Sequence, residues 1–195
     1  VDFFKMMDLS IREFIEKLSS KSPTPGGGAV AALNALFGVS LLMMVTNITI
    51  ANKNYEDVRE EAQGILKDLS EIQGNLFQGP KKDAQSFDQV IRAFKLKKDT
   101  EAEKIYRSEK IQEGYKIAAK APYDFALEVE KLFPYCKRIE EIGVKSALSD
   151  VKLARKEIIS AIEGSIENIE INLKSIKDQD FVSDMREKIK RIKIS

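Results

Sequence analysis

"GGGAVAALNALFGVSLLMMVTNITIA", residues 26–51, decides the fold. From Ala29 to Ala51 no residue is charged, a length that meets the usual requirement for a membrane span. Asn34, Ser40, Thr46, Asn47 and Thr49 interrupt that apolar run, and nothing else in the chain is comparably apolar. The charged, amphipathic stretch from Asp8 to Lys21 in front of it is not the leader of a signal peptide. The segment therefore reads as a helix at the centre of a soluble bundle, apolar all round because it is buried all round. No membrane is expected.

The flanking sequence repeats the helical period. Ser10 is placed to cap "IREFIEKLSS", where Ile11, Phe14, Ile15 and Leu18 recur at helical spacing. Beyond residue 52, Val58, Ile65, Leu69, Ile72 and Leu76 form one stripe, and Gly79-Pro80 is expected to break it. "DAQSFDQVIRAFKL" then reads as a separate helix, and "KKDTE" as a turn followed by a helix start. Pro122 is expected to begin or kink the next helix, and Pro134 to kink its continuation. From Ser146 onward Ile158, Ile162, Ile166, Ile169, Leu173 and Ile176 alternate four- and three-residue steps, a seam for packing on other helices. No stretch alternates with period two. The expected fold is all-α, a bundle of long antiparallel helices forming a single domain over residues 1–195.

Composition narrows the chemistry. The chain is 43% hydrophobic and 32% charged, with 32 basic and 31 acidic residues, so bulk charge marks no nucleic-acid binder. It has no histidine, which excludes imidazole bases, Ser-His triads and His-ligated metals. One cysteine, Cys136, allows neither an internal disulfide nor a thiolate zinc site, and fits a cytoplasmic location. Catalysis is left to Asp, Glu, Lys, Tyr, Ser, Asn and backbone amides.

Pro25-Gly26-Gly27-Gly28 leads into the apolar helix, where the first amides lack intrahelical partners. Glycines there either let a ligand reach those amides, with the helix dipole favouring anions or electron-rich oxygens, or simply permit a sharp turn. Spacing alone leaves both open. The run matches neither the P-loop nor the dinucleotide fingerprint, each of which requires a preceding strand.

"SPTPGGGAVAALNALFGVSLLMMVTNIT" resembles the start of the formiminotetrahydrofolate cyclodeaminase / methenyltetrahydrofolate cyclohydrolase family. The resemblance continues in order through "KNYEDV" (53–58), "DAQSF" (83–87), "AAKAPYDFA" (118–126), "ALSDV" (147–151) and "NIEINLKSI" (168–176). It implies an all-helical homodimer with a pocket for a tetrahydrofolate derivative near the subunit interface. The implied reaction is hydrolytic opening of the methenyl bridge, or its closure from the formimino compound with loss of ammonia. No metal and no cofactor beyond the tetrahydrofolate-derived substrate is implied. The chain departs from the family pattern at Asn52, Lys81 and Val144. Those departures keep open a second reading, a non-catalytic helical dimer of the same fold that binds folate or a protein partner.

Candidate site residues follow. Asp83 and Asp150 are the candidate catalytic carboxylates, each with a structural alternative as a helix-start charge. Pro25, Gly26, Gly27 and Gly28 are candidate substrate-binding residues, joined by Asn47, Lys53, Ser149, Asn168 and Asn172. Asn168 and Asn172 lie one turn apart beside Ile169 and Leu173, where amides either bind a pterin-like edge or fix helix register. Ser146 is the expected cap of the last long helix. Lys81 and Lys82 offer charge to an anionic tail, and Tyr55, Phe87 and Tyr123 are candidates to stack on a pterin or to fill the core.

Overall fold

The computed structural model describes residues 8–22 and 25–194, with the side chains of residues 80–84 outside the description. Among the described residues there is no strand. Helix α1 spans Ile11–Leu18, α2 Gly27–Ala51, α3 Arg59–Phe94, α4 Glu101–Glu130, α5 Phe133–Ile142, α6 Leu148–Leu173 and α7 Gln179–Lys190. Two 3₁₀ turns, Lys53–Val58 and Lys145–Ala147, lead into α3 and α6.

Four long helices make a square bundle in which α2 packs on α3 and α6, and α4 packs on the same two. All neighbours run antiparallel, as their cross-links show. Ser40 of α2 meets Gln73 of α3, and Asn34 of α2 meets Ser160 of α6. Gly79 of α3 meets Phe125 of α4, and Asn172 of α6 bonds to Ala118 of α4. Leu42, Leu69, Leu132, Ile158 and Ile162 are fully buried where these helices face one another. Removing side chains of that size from water stabilises the fold by roughly 1.5–3 kcal/mol each.

Local signals set several boundaries. Ser10 with Glu13, and Thr100 with Glu103, form capping boxes that start α1 and α4. Asp178 caps α7 by accepting from the Phe181 amide at 3.1 Å. At the end of α2, the Thr49 hydroxyl donates to the Val45 carbonyl and accepts the Val144 amide at 3.0 Å. Arg59 Nε donates to the Ile50 carbonyl there, at 3.2 Å. The Arg59 bond covers a carbonyl in the last turn, which the helix itself leaves open, and the Thr49 bond satisfies the Val144 amide of the loop before α6.

Four expectations are corrected. Gly79-Pro80 does not break a helix, because α3 runs unbroken for 36 residues. Its buried stripe stays in phase across the pair, since Leu76 and Val90 are fourteen residues apart on one face and both buried. Pro122 does not begin a helix: it lies inside α4, buried, where packing offsets the lost hydrogen bond. Pro134 instead stands in the first turn of a new helix, α5. Ser146 does not cap α6, which starts after Ala147 with no side-chain cap.

The apolar helix α2 also departs from expectation. Its length of 25 residues and mean hydropathy of 2.0 would suffice to cross a membrane. In this bundle Ala35, Val39, Leu42 and Val45 on its inner side are core, but Phe37, Met44 and Ile48 on the outer side are exposed. Among the described residues a corner helix has only two long neighbours, and these leave its outer side uncovered.

Candidate functional site

One corner of the square is open. Helix α2 starts at Gly27, while α3, α4 and α6 continue past that level. The cross-links fix which residues are level. Counting antiparallel from Gln73–Ser40, from Gly79–Phe125 and from Asn172–Ala118, four places converge at one height. They are the first turn of α2, Asp83 on α3, Pro122 on α4 and Asn168 on α6.

Beyond that height the faces that α2 would have covered are bare. Ile91 lies eighteen residues, five full turns, after Gln73 and so continues the α2-facing side of α3. It is exposed, as are Phe87 and Phe94 around it. On α6, Ile171 continues the face of Ser160 and is 63% exposed. Large apolar side chains are thus left uncovered there by the described residues.

The floor of that space is the start of α2. Gly26 is extended, with φ −131° and ψ −160°, and as the N-cap residue it offers no side chain to cap the helix. Its carbonyl accepts from Ala29 and Val30 at 3.1 and 3.2 Å, so the first turn is properly formed. Pro25 is buried and fixes the approach of the chain. A β-carbon at Gly27 would meet nothing within 4 Å. By contrast a β-carbon at Gly38 would stand 2.8 Å from Ile158 Cγ1, and one at Gly143 only 2.5 Å from the Ile139 carbonyl. Those two glycines serve packing; Gly27 does not.

The two asparagines divide their roles. Asn172 is buried and donates to the Ala118 carbonyl at 3.2 Å and to the Asn168 carbonyl at 2.9 Å, tying α6 to α4. Asn168 is half-buried at the level of the glycine floor, and among the described residues no group bonds its side-chain amide. Asp83, Lys81 and Lys82 have side chains outside the described residues. Their backbone belongs to the stretch between Gly79 and Gln85, both of which line a groove of about 580 Å³ between α3 and α4. Ser86, Lys120 and Phe125 line it too, and Lys120 pairs with Asp124 at its rim.

The remaining candidates lie at the other end. Asn47 is twenty residues along α2 from Gly27, roughly 30 Å at the helical rise. Lys53 is exposed in the following 3₁₀ turn. Ser149 is exposed and Asp150 half-buried in the first turn of α6, at that same end. One chain therefore does not bring Asp150, Ser149, Asn47 and Lys53 to the glycine corner. Asn52 caps the turn by accepting from the Asn54 amide at 3.0 Å, and Val144 is a core residue. Tyr55 and Tyr123 pack against the core, whereas Phe87 does not.

Near the corner, Asp88 and Arg92 pair beside Phe87 and Ile91, and Lys120 pairs with Asp124. The carboxylates whose pKa is clearly lowered are surface groups with partners, such as Glu61 beside the Arg138 guanidinium and Asp178 beside Lys116. Burial pushes the Cys136 thiol up to about 12, so it is inert at neutral pH. Among the described residues no group of three or more His, Cys, Asp or Glu could hold a metal.

Sequence reasoning missed the exposed Ile91 and Ile171, while Phe94 turns its ring edge-on to Tyr115 of α4. The only sequence signal of these two isoleucines is helical spacing, which looks the same for a core face. What leaves them bare is where α2 begins.

Similarity to known proteins covers nearly the whole chain. Residues 10–191 match the family described as formiminotransferase-cyclodeaminase. A methenyltetrahydrofolate cyclohydrolase of Methylorubrum extorquens is 30% identical over 175 residues, which are 90% of this chain and 84% of that protein. A formimidoyltransferase-cyclodeaminase of Rattus norvegicus is 30% identical over 184 residues, 94% of this chain but 34% of that longer protein. The crystal structure of formiminotetrahydrofolate cyclodeaminase from Thermotoga maritima superimposes with a TM-score of 0.79 at 32% identity, covering 95% of this chain and 88% of that one. Both the helix order and the sequence agree, and the chain belongs to the formiminotransferase-cyclodeaminase family.

Proposed function

We propose that this chain is a folate one-carbon enzyme that opens or closes the methenyl bridge of tetrahydrofolate in the open corner of the bundle. The observation that carries the reading is Gly27, where an added β-carbon would meet nothing within 4 Å, at the start of α2 and level with exposed apolar side chains. A folate derivative has flat rings, a polar pterin edge and an anionic tail. Phe87 and Ile91 suit the ring faces, the spare amide of Asn168 suits the edge, and the α2 amides suit an electron-rich oxygen or anion.

Both family reactions interconvert planar and tetrahedral carbon at the bridge. Hydrolysis adds water to that carbon and breaks one of its bonds to nitrogen, which takes a proton. Deamination adds the second folate nitrogen and expels ammonia, which also leaves with a proton. Each needs one group that takes and returns a proton, and Asp83, level with the glycine floor, is the residue we assign. Neither route calls for a metal or redox cofactor beyond the tetrahydrofolate-derived substrate.

We further propose a symmetric homodimer in the cytoplasm. The exposed strip Phe37, Met44 and Ile48 belongs to a helix without charge, and a two-fold axis across it would bury both copies at once. Antiparallel pairing of the two α2 helices opposes their dipoles favourably. It also carries Asn47 and Lys53 of one copy toward the glycine corner of the other, with Ser149 and Asp150 beside them.

The test is purified protein mixed with methenyltetrahydrofolate, followed by its near-ultraviolet absorbance, and with the formimino compound, followed by ammonia release. Turnover above the buffer rate in either assay supports the enzyme. Binding without decay in both favours the non-catalytic reading, to which Val144 and Asn52, occupied in core packing and capping, would then belong.

A further inference from the structure

The open corner has a far end. Phe94, the last residue of α3, lies one turn past Ile91 and eleven residues beyond Asp83, about 16 Å along the helix. Its ring stands edge-on to Tyr115 of α4, with centroids 6.5 Å apart. The Arg107 guanidinium lies over the same ring, 5.4 Å from its centroid. Arg107 Nε and Nη2 both donate to the Phe94 carbonyl, at 3.3 and 3.2 Å. A planar cation is thereby fixed where the corner ends.

Its charge is not compensated. Arg92, Arg138 and Arg186 pair with carboxylates, but among the described residues Arg107 pairs with none. Lys95, Lys97 and Lys98, in the turn that follows α3, are exposed and equally without a carboxylate there. Glu101 and Glu103, the glutamates that follow the turn, are already engaged. Glu101 pairs with Lys104, and Glu103 accepts the Thr100 amide in the cap of α4. Holding the Phe94 carbonyl uses only part of the guanidinium, whose other N–H groups meet no acceptor among the described residues. A half-buried guanidinium with donors to spare is the fork that takes a carboxylate by two parallel bonds.

We infer that Arg107, with Lys95, Lys97 and Lys98 around it, binds the anionic tail of the substrate at the far end of the corner. This rests on the folate reading above and names what that reading leaves open, the group that meets the tail. With the bridge at the level of Asp83, the aromatic ring beyond it lies along Ile91, and the tail carboxylates arrive beside Phe94. The α2 amides are then left to an electron-rich oxygen of the rings. Arg107 is a positioning residue, which fixes the end of the substrate that enters first. The exposed lysines add an attraction that salt screens.

The test is titration calorimetry with tetrahydrofolate, kept from oxygen, and with its tail diamide, which keeps the rings but carries no carboxylate. The unmodified chain should bind the acid about tenfold or more tightly than the diamide, a preference that shrinks as salt is raised. Arg107→Gln removes the charge, yet its amide can still donate to the Phe94 carbonyl, so the unfolding midpoint should stay near that of the unmodified chain. The preference should vanish, with the acid weakened and the diamide unchanged. Arg107→Lys, which keeps the charge but not the fork, should fall between the two. With methenyltetrahydrofolate as substrate, the loss in Arg107→Gln should appear in KM, with kcat changed by less than about twofold. A preference that survives in Arg107→Gln, or a loss that strikes acid and diamide alike, overturns the role of Arg107 while the folate reading stands. Equal binding of acid and diamide by the unmodified chain overturns it too. If neither ligand binds the unmodified chain, the folate reading falls, and this inference with it.

Discussion

The ring of Phe125 lies so close over the backbone of Gly79 that a β-carbon there would stand 2.2 Å from its Cδ2. This contact joins α3 to α4 beside the groove and explains why glycine occupies the middle of a long helix. Gly79→Ala should cost about 1–3 kcal/mol, because the ring must leave its seat. Urea unfolding should show a lower midpoint at unchanged slope, and adding Phe125→Leu should restore part of the loss. An unchanged midpoint for Gly79→Ala would remove the contact from the account.

The asparagine pair gives a second prediction. Asn172→Ala deletes the donor that serves the Ala118 and Asn168 carbonyls inside the bundle. It should destabilise the protein by about 1–3 kcal/mol. Asn168→Ala deletes an amide with no protein partner, so its unfolding midpoint should stay near that of the unmodified chain while folate affinity falls. The reverse pattern would assign the roles the other way.

Cys136 should be silent. Its thiol, pushed up to about 12 by burial, carries almost no thiolate at neutral pH. A chromogenic disulfide reagent should find no reactive thiol in the folded protein and one per chain in strong denaturant. Rapid labelling under native conditions would mean that α5 opens readily.

Acid should loosen the packing of α7. Lys116, hydrogen-bonded to Asp178, and the Phe181 amide that Asp178 caps hold its carboxyl below the ordinary value of 3.8. A lowered folded pKa means stability that is fully present above that ordinary value and lost as pH falls through the folded one. Asp178→Asn can still cap but cannot titrate. Thermal midpoints measured from about pH 6 to about pH 2 should therefore fall less steeply for Asp178→Asn than for the unmodified chain. Equal slopes would show that this carboxylate contributes nothing to acid sensitivity.

Local chemistry was legible in the sequence wherever neighbours in the chain decide it. The cap at Ser10, the helix start at "KKDTE" and the seam from Ile158 to Ile176 behave as their spacing says. Pro122 and Gly79-Pro80 misled because packing between distant segments outweighs a local helix penalty. The glycine loop could be seen but not its surroundings. The open corner depends on α2 starting lower than its neighbours, a matter of register between helices far apart in sequence. Asn168 and Asn172 look alike on paper and separate only when Ala118 is placed opposite one of them. Asp150 looked like a partner of Asp83, yet within one chain the two lie at opposite ends.

The central claim is that the glycine floor exists for a ligand and not for the fold, and Gly27→Val tests it most directly. A β-carbon at Gly27 meets nothing within 4 Å, so the variant should fold with the helical content and unfolding midpoint of the unmodified chain. The measurement is its affinity for a methenyltetrahydrofolate-type ligand, by titration calorimetry on the folded protein. The account predicts at least about a tenfold loss of affinity, as the added side chain bars approach to the α2 amides. Unchanged affinity in a fully folded Gly27→Val protein would contradict it and place the folate site elsewhere.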